Sequence, residues 1–218
     1  MVRRRLGKVS EKPNENRKMF RVLGVDPAAA GPTGYGVVES DGRKCRALHF
    51  GALHVAAKRQ KASTGAVLHE VHELLCKLIE EFAPQAMAVE SVFTALNMRT
   101  ALRLAEVRGV VLLAAEQHGV EVFSYAPRQV KACVAGHGQA DKKQMQAMVR
   151  ALLAMDETPE PSDAADALAV ALCHIQAEEL HRRFGLPRAG SAERKLKSLE
   201  AMVGQATRRR AAGMLTNP

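Results

Sequence analysis

FRVLGVDPAAAGPTGYGVVESDGRKCRALHF, residues 20–50, decides the fold. Val and Leu are dense up to Asp26, which predicts a buried strand over 20–26. A run of Ala, Gly and Pro follows, and TGYGVVES (33–40) predicts a second strand. Asp41-Gly42 is a hairpin signal of the type I′ kind. CRALHFGALHV (45–55) then supplies a third strand, so the domain opens with three antiparallel strands. The oddity is the carboxylate that closes the first of them.

Further along, the periodicity switches. Val67, Val71, Leu74, Leu75, Leu78, Ile79 and Phe82 recur at helical spacing after a cap at Ser63 or Thr64, and Pro84 ends the run. AMAVE (86–90) predicts a short buried strand ending on Glu90. Asn97 to about Gln117 predicts a long helix with Leu102, Val107, Val110, Val111 and Leu113 on its apolar side. VEVFSY (120–125) predicts a fifth strand ended by Pro127. Residues 140–155 and 163–184 predict two final helices. The order β-β-β-α-β-α-β-α-α predicts an α/β domain: a mixed five-stranded sheet flanked by helices.

The 218 residues are 47% hydrophobic, enough for a sizeable core in one domain of ordinary size. The net charge of +9 suggests a polyanionic partner, but its distribution is uneven. Residues 1–19 and 186–218 each carry seven Lys/Arg against two acids, whereas 20–185 is near neutral. The division expected is a basic polar extension (1–18), a folded domain (19–185) and a basic flexible tail (186–218), with Met19 either an alternative start or the end of a natural extension. The basic ends either aid solubility alone or add non-specific affinity for polyanions. The four cysteines form no CxxC pair, which predicts reduced, mostly buried thiols. No apolar run is long enough to span a membrane, and the start lacks the apolar core of a secretory signal.

Four acids stand out by position. Asp26 and Glu90 end the first and fourth strands. Asp163 and Asp166, three apart, share one face at the start of the last helix. If the first and fourth strands are neighbours, three segments bring four carboxylates to the sheet edge where open α/β sheets place ligands. Such charges repel unless cations join them, and oxygen-only donors suit Mg²⁺ or Mn²⁺. Two such ions can clamp a scissile phosphate, one activating water and the other stabilising the leaving oxygen. Each acid also has a plain structural explanation, as N-cap, first-turn acid, turn residue or solvated strand end. No GxGxxG or GxxxxGK phosphate loop is present. His69-Glu70-Val71-His72 is one residue short of HExxH, and His49, His54 and His174 have no ligand spacing.

The blocks GVDP…TGYGVV, AMAVESVF, LRLAEVRGVV, YAPRQVKACVAGHGQADKKQMQAMV and DAADALAVALCH, in that order, resemble the RuvC family of Holliday junction resolvases across roughly residues 19–176. The resemblance implies an RNase H-like fold, a homodimer, and symmetric Mg²⁺- or Mn²⁺-dependent cleavage of a four-way DNA junction in recombination and repair. It implies two Mg²⁺ per active site, held by Asp26, Glu90, Asp163 and Asp166, and products with a 5′-phosphate and a 3′-hydroxyl. It also implies DNA contacts from Lys131 and Lys142, with Lys143 an extra neighbour. Arg99, Arg103 and Arg108 recur along the long helix, where Arg99 and Arg103 either track phosphate or form a solvated face. Phe93 matches the aromatic that the family sets near the junction centre, suited to stacking on an unpaired base. The apolar side of the long helix resembles the family's dimer interface. Branch-migration proteins are implied as partners, and a cytoplasmic, nucleoid-associated location. The chain departs from the family pattern at Ala28, where Gly is usual, at Pro32, which lengthens the loop 27–33, and at AEVRG in place of GQARG. The alternatives are an RNase H-like nuclease of another substrate and a non-catalytic DNA-binding homologue; the chain is too short for the two domains of an actin-like ATPase.

Overall fold

The computed structural model describes residues 19–27, 32–53, 63–91 and 98–185. The basic ends, the segment holding Phe93, His54 and residues 28–31 of the loop after Asp26, Ala28 among them, lie outside these residues.

Five strands form one mixed sheet in the order β3-β2-β1-β4-β5. They are β1 (Phe20–Asp26), β2 (Thr33–Ser40), β3 (Cys45–Leu53), β4 (Ala86–Glu90) and β5 (Glu121–Tyr125). The first three are antiparallel, while β1, β4 and β5 are parallel. Five helices complete the fold: α1 (Thr64–Phe82), α2 (Met98–Gln117), α3 (Pro127–Ala135), α4 (Lys142–Leu152) and α5 (Ser162–Phe184).

Strand alternation divides the core in two. Leu23, Val25, Met87 and Val89 face α1 and α2. Val22, Ala86, Ala88, Phe123 and Tyr125 face the side of α3, α4 and α5. By the same alternation, Gly24 and Asp26 on β1, and Glu90 on β4, belong to the α5 side. Two-sided burial explains why β1 reads as a nearly continuous apolar run.

α5 is the central helix, buried from Ala164 to Ile175 apart from Asp166. Its alanines let it lie close to the sheet, and three glycines receive it. A methyl on Gly24 would come within 2.0 Å of the Ala167 carbonyl oxygen, and one on Gly34 within 2.0 Å of that of Asp163. One on Gly36 would meet the Leu168 side chain at 2.7 Å. Small residues on both elements permit this spacing, and it sets how far α5 stands from β1.

The opposite end of the sheet is fastened by ions. Glu39, 1% exposed, accepts from Arg21 Nε at 2.7 Å and from Arg46 Nη2 at 2.6 Å. Arg21 also donates to the Phe82 carbonyl at 2.9 Å, tying the end of α1 to β1. Burial pushes the Glu39 carboxyl up, but the hydrogen bonds and charges of both arginines overcome this and hold it below its ordinary value.

Several local expectations need correcting. Pro127 does not merely stop β5: it opens α3, an element the sequence reading omitted, because its fixed φ suits the first helical position. The 41–42 turn is not type I′. Only Gly42 has positive φ, at 82°, and the loop runs over residues 41–44, since Ser40 pairs with Cys45. Asp41 Oδ1 holds it by accepting from the Arg43 and Lys44 amides. α4 ends at Leu152 rather than 155. Leu102 and Leu113 do not face the core; they are 57% and 52% exposed, while Val107, Val111, Ala114 and Ala115 are buried. Of the four free thiols only Cys173 is buried, the others being half-buried. No helix among the described residues is long and apolar enough to cross a membrane.

Candidate metal-dependent nuclease site

Asp26 is the last residue of β1 and Glu90 the last of β4. The two strands are parallel neighbours with Val25 opposite Val89, so the acids follow at adjacent positions on the same face. Their carboxyls are hydrogen-bonded to each other. Asp163 and Asp166 enter from the first turns of α5, which the glycines of β1 and β2 draw onto the sheet. Pro161 precedes this helix and no side chain caps it, so Asp163 is not its N-cap.

The electrostatics show that the acids share one field. Burial and the charges of Glu90, Asp166 and Asp163 push the Asp26 carboxyl up to about 8. Burial and Asp166 also raise Glu90, against the opposing influence of its bond to Asp26 and of Lys131. Asp166 is raised by burial and by Asp163, and relieved by Lys142 and Lys131. Asp26 and Glu90 therefore hold a proton between them near neutrality and titrate as a pair. Two half-buried carboxylates cannot both ionise side by side without compensation.

The compensation present is partial. Lys142 Nζ, on the first residue of α4, lies 3.8 Å from Asp166 Oδ2. Lys131, on α3, is half-buried and close enough to act on both Glu90 and Asp166. In this arrangement no three His, Cys, Asp or Glu side chains among the described residues are placed to hold one metal ion. Asp26 and Glu90 spend oxygens on each other, and Asp166 leans toward Lys142. The donor set nevertheless fits hard divalent cations: every donor is a carboxylate oxygen, and the raised affinities for protons mark a site short of positive charge.

The remaining candidates are dispersed. Lys143 and Arg99 are exposed, on α4 and on the first turn of α2. Arg103 is also exposed, whereas Arg108 donates to Ser124 Oγ at 3.1 Å. Phe93 falls outside the described residues. His174 is structural, buried with its Nδ1 at 2.7 Å from Tyr125 Oη. His49 lies stacked on Phe82, and His69 pairs with Glu73. The sequence reading missed the role of Gly24, Gly34 and Gly36. Their signal was available as glycines at alternate positions of two adjacent strands beside an alanine-rich helix.

The family described as crossover junction endodeoxyribonuclease RuvC matches residues 22–174. A crossover junction endodeoxyribonuclease RuvC from Natranaerobius thermophilus is 41% identical over 163 residues, covering 75% of this chain and 99% of its own. One from Caldanaerobacter subterraneus is 42% identical over 169 residues, covering 78% and 100%. Among solved structures, Thermus thermophilus RuvC in complex with a Holliday junction substrate is similar at 36% identity and a TM-score of 0.68, covering 74% of this chain and 96% of that one.

Proposed function

Since the chain belongs to the RuvC family of crossover junction endodeoxyribonucleases, metal-dependent nucleases of RNase H-like fold, we infer its activity from that premise. It is a structure-selective endodeoxyribonuclease that resolves four-way DNA junctions by phosphodiester hydrolysis. The observation that carries this reading is the convergence of Asp26, Glu90 and Asp166, with Asp163 beside them, at one end of the sheet.

Asp26, Glu90, Asp163 and Asp166 would hold two Mg²⁺, with Mn²⁺ an effective substitute. When bound, such ions supply Lewis acidity to a scissile phosphate and acidify water. The chain's own contribution is placement. Strand ends fix Asp26 and Glu90, and the backbone seat of α5 fixes Asp163 and Asp166. Lys131 and Lys142, at the rim, attract the DNA backbone and offset the acids before the substrate arrives. No side chain serves as a covalent nucleophile in this scheme: water would attack the phosphorus and the 3′-oxygen would leave, giving a 5′-phosphate and a 3′-hydroxyl. Arg99 and Lys143 contact phosphates further out, and Phe93 stacks on an unpaired base at the junction centre.

Symmetric resolution calls for two sites. Met98, Leu102 and Leu113 are exposed along one face of α2, and Gly109 on the same face has nothing within 4 Å of where a Cβ would stand. That stripe suits an isologous contact between two copies, with the helices crossing at Gly109. Work on recombining DNA implies branch-migration proteins as partners and a location with the nucleoid in the cytoplasm.

The test is cleavage of a synthetic four-way junction, a linear duplex and an RNA–DNA hybrid in Mg²⁺, Mn²⁺ or EDTA. Paired nicks confined to the junction and abolished by EDTA are expected. Cleavage of the hybrid instead would move the reading to another RNase H-like nuclease.

A further inference from the structure

Opposite the side of α4 that buries Met145 and Val149, the structure holds a shallow groove of about 520 Å³. Lys143, Gln146, Ala147, Arg150, Ala154 and Thr158 are among the residues lining it. We propose that this groove binds the sugar–phosphate backbone of a junction arm, with Arg150 and Lys143 each taking a phosphate; the proposal rests on the junction-resolving function above.

Four observations carry it. The groove begins one residue past the site: Lys143 lines it, and the preceding residue, Lys142, has its ammonium 3.8 Å from Asp166 Oδ2. Its lining has two cations, an amide and a hydroxyl, and no acid among the described residues. Neither Lys143 nor Arg150 makes an ion pair among the described residues, in contrast to Arg21, Arg46 and Arg183. Its apolar lining is Ala147, Ala151, Ala154 and Met155, and the alanines let a backbone approach α4 closely while the long side chains flank it.

The spacing also fits. Lys143 and Arg150 are seven residues, or two turns, apart on one face, roughly 10 Å along the helix axis. One DNA strand rises about 3.4 Å per nucleotide, so the two cations span about three nucleotides. A DNA strand cut between Asp26 and Asp166 would pass Lys142 first, and then continue along α4 into the arm. Arg150 also suits the last turn of α4 as a cation near the helix C-terminus. That role concerns stability alone, so the test reads DNA.

The experiment uses the full chain, wild type, Arg150→Ala and Arg150→Lys, on four-way junctions carrying a single uncharged methylphosphonate at successive positions outward from the cut. For wild type, binding weakens at one arm position about three nucleotides from the position that senses Lys142. Arg150→Ala is expected to be insensitive at that position alone. Its slope of log affinity against log salt should be shallower by about 0.9, the release expected for one phosphate contact. Arg150→Lys restores the slope. If wild type binds and cuts junctions but Arg150→Ala responds identically at every position, the α4 track is overturned and the resolvase reading stands. If wild type neither prefers nor cuts junctions, that reading fails and takes this inference with it.

Discussion

Asp26 stands directly across the β1–β2 ladder from Gly34, and the place where a Gly34 side chain would project is taken by the backbone of Asp163. A single missing side chain thus sets the approach of two metal-binding candidates from opposite ends of the chain. Geometry at the site is transmitted through main chain, which has no rotamers to relax.

Gly34→Ala should therefore harm both stability and cleavage. Its methyl would lie 2.0 Å from the Asp163 carbonyl oxygen, and overpacking of this kind costs about 1–3 kcal/mol or more. Thermal melts and junction cleavage below the melting transition separate the two effects; cleavage should fall further than the folded fraction does. Gly65→Ala is the control. A Cβ there has only Ser63 Oγ, at 4.0 Å, as a neighbour, and Ala in a helix gains up to about 1 kcal/mol.

Asp26→Asn should abolish cutting and spare junction binding, because it replaces a proposed metal ligand without altering the rim lysines. It should also raise the melting temperature of the metal-free protein at alkaline pH. The charge that burial and Glu90 oppose in Asp26 cannot form on an amide. Normal cleavage by this variant would refute the site assignment.

The two ends of the sheet respond to pH in opposite senses. Asp26 rises on folding from 3.8 to about 8, so its contribution is full below its unfolded value and is lost as pH climbs toward 8. Glu39 is held below its unfolded 4.5, so its contribution is present above that value and is lost as pH falls through the lower folded one. Melts in EDTA from pH about 2 to about 9 should therefore peak on the acid side of neutrality. Glu39→Gln should flatten the acid limb, and Asp26→Asn the alkaline limb.

Cation binding must displace the proton that Asp26 and Glu90 share, since a ligand carboxyl has to be ionised. Titration of Mg²⁺ at neutral pH, in two buffers of different ionisation enthalpy, should show proton release. The release should vanish about a unit above the Asp26 value of about 8, with tighter binding there. Equal heats in both buffers at neutral pH would contradict the coupling.

Leu102→Glu should yield a folded monomer. The side chain is 57% exposed in the single chain, so a charge costs the fold little and is penalised only at a contact between copies. Sedimentation should show the loss of the dimer, and the products should shift from paired cuts to single nicks.

The order of the strands along the chain and the positions of the four acids at the ends of elements were legible because both follow from chain-local signals. Apolar runs mark buried strands, and a charge at the end of such a run needs a reason to be there. α3 was illegible because Pro127 is compatible with stopping a strand and with starting a helix, and only the packing of Val130 and Val134 decides between them. The long helix misled for a related reason. Leu102 and Leu113 are as apolar as Val107 and Val111, and no composition rule separates a face that meets the sheet from a face left open. The seat of α5 needed pairing knowledge: glycines 24, 34 and 36 acquire meaning only once Gly24 is opposite Gly36 and Asp26 opposite Gly34.

That seat has a genetic consequence. Where a mutation creates a clash between side chains, a second mutation that shrinks the partner can relieve it. At Gly24 and Gly34 the partner is a carbonyl oxygen, which every residue carries, so no substitution on α5 can make room. Selections for revertants of Gly34→Ala should return the glycine itself, whereas Gly36, facing the Leu168 side chain, should admit suppressors at position 168.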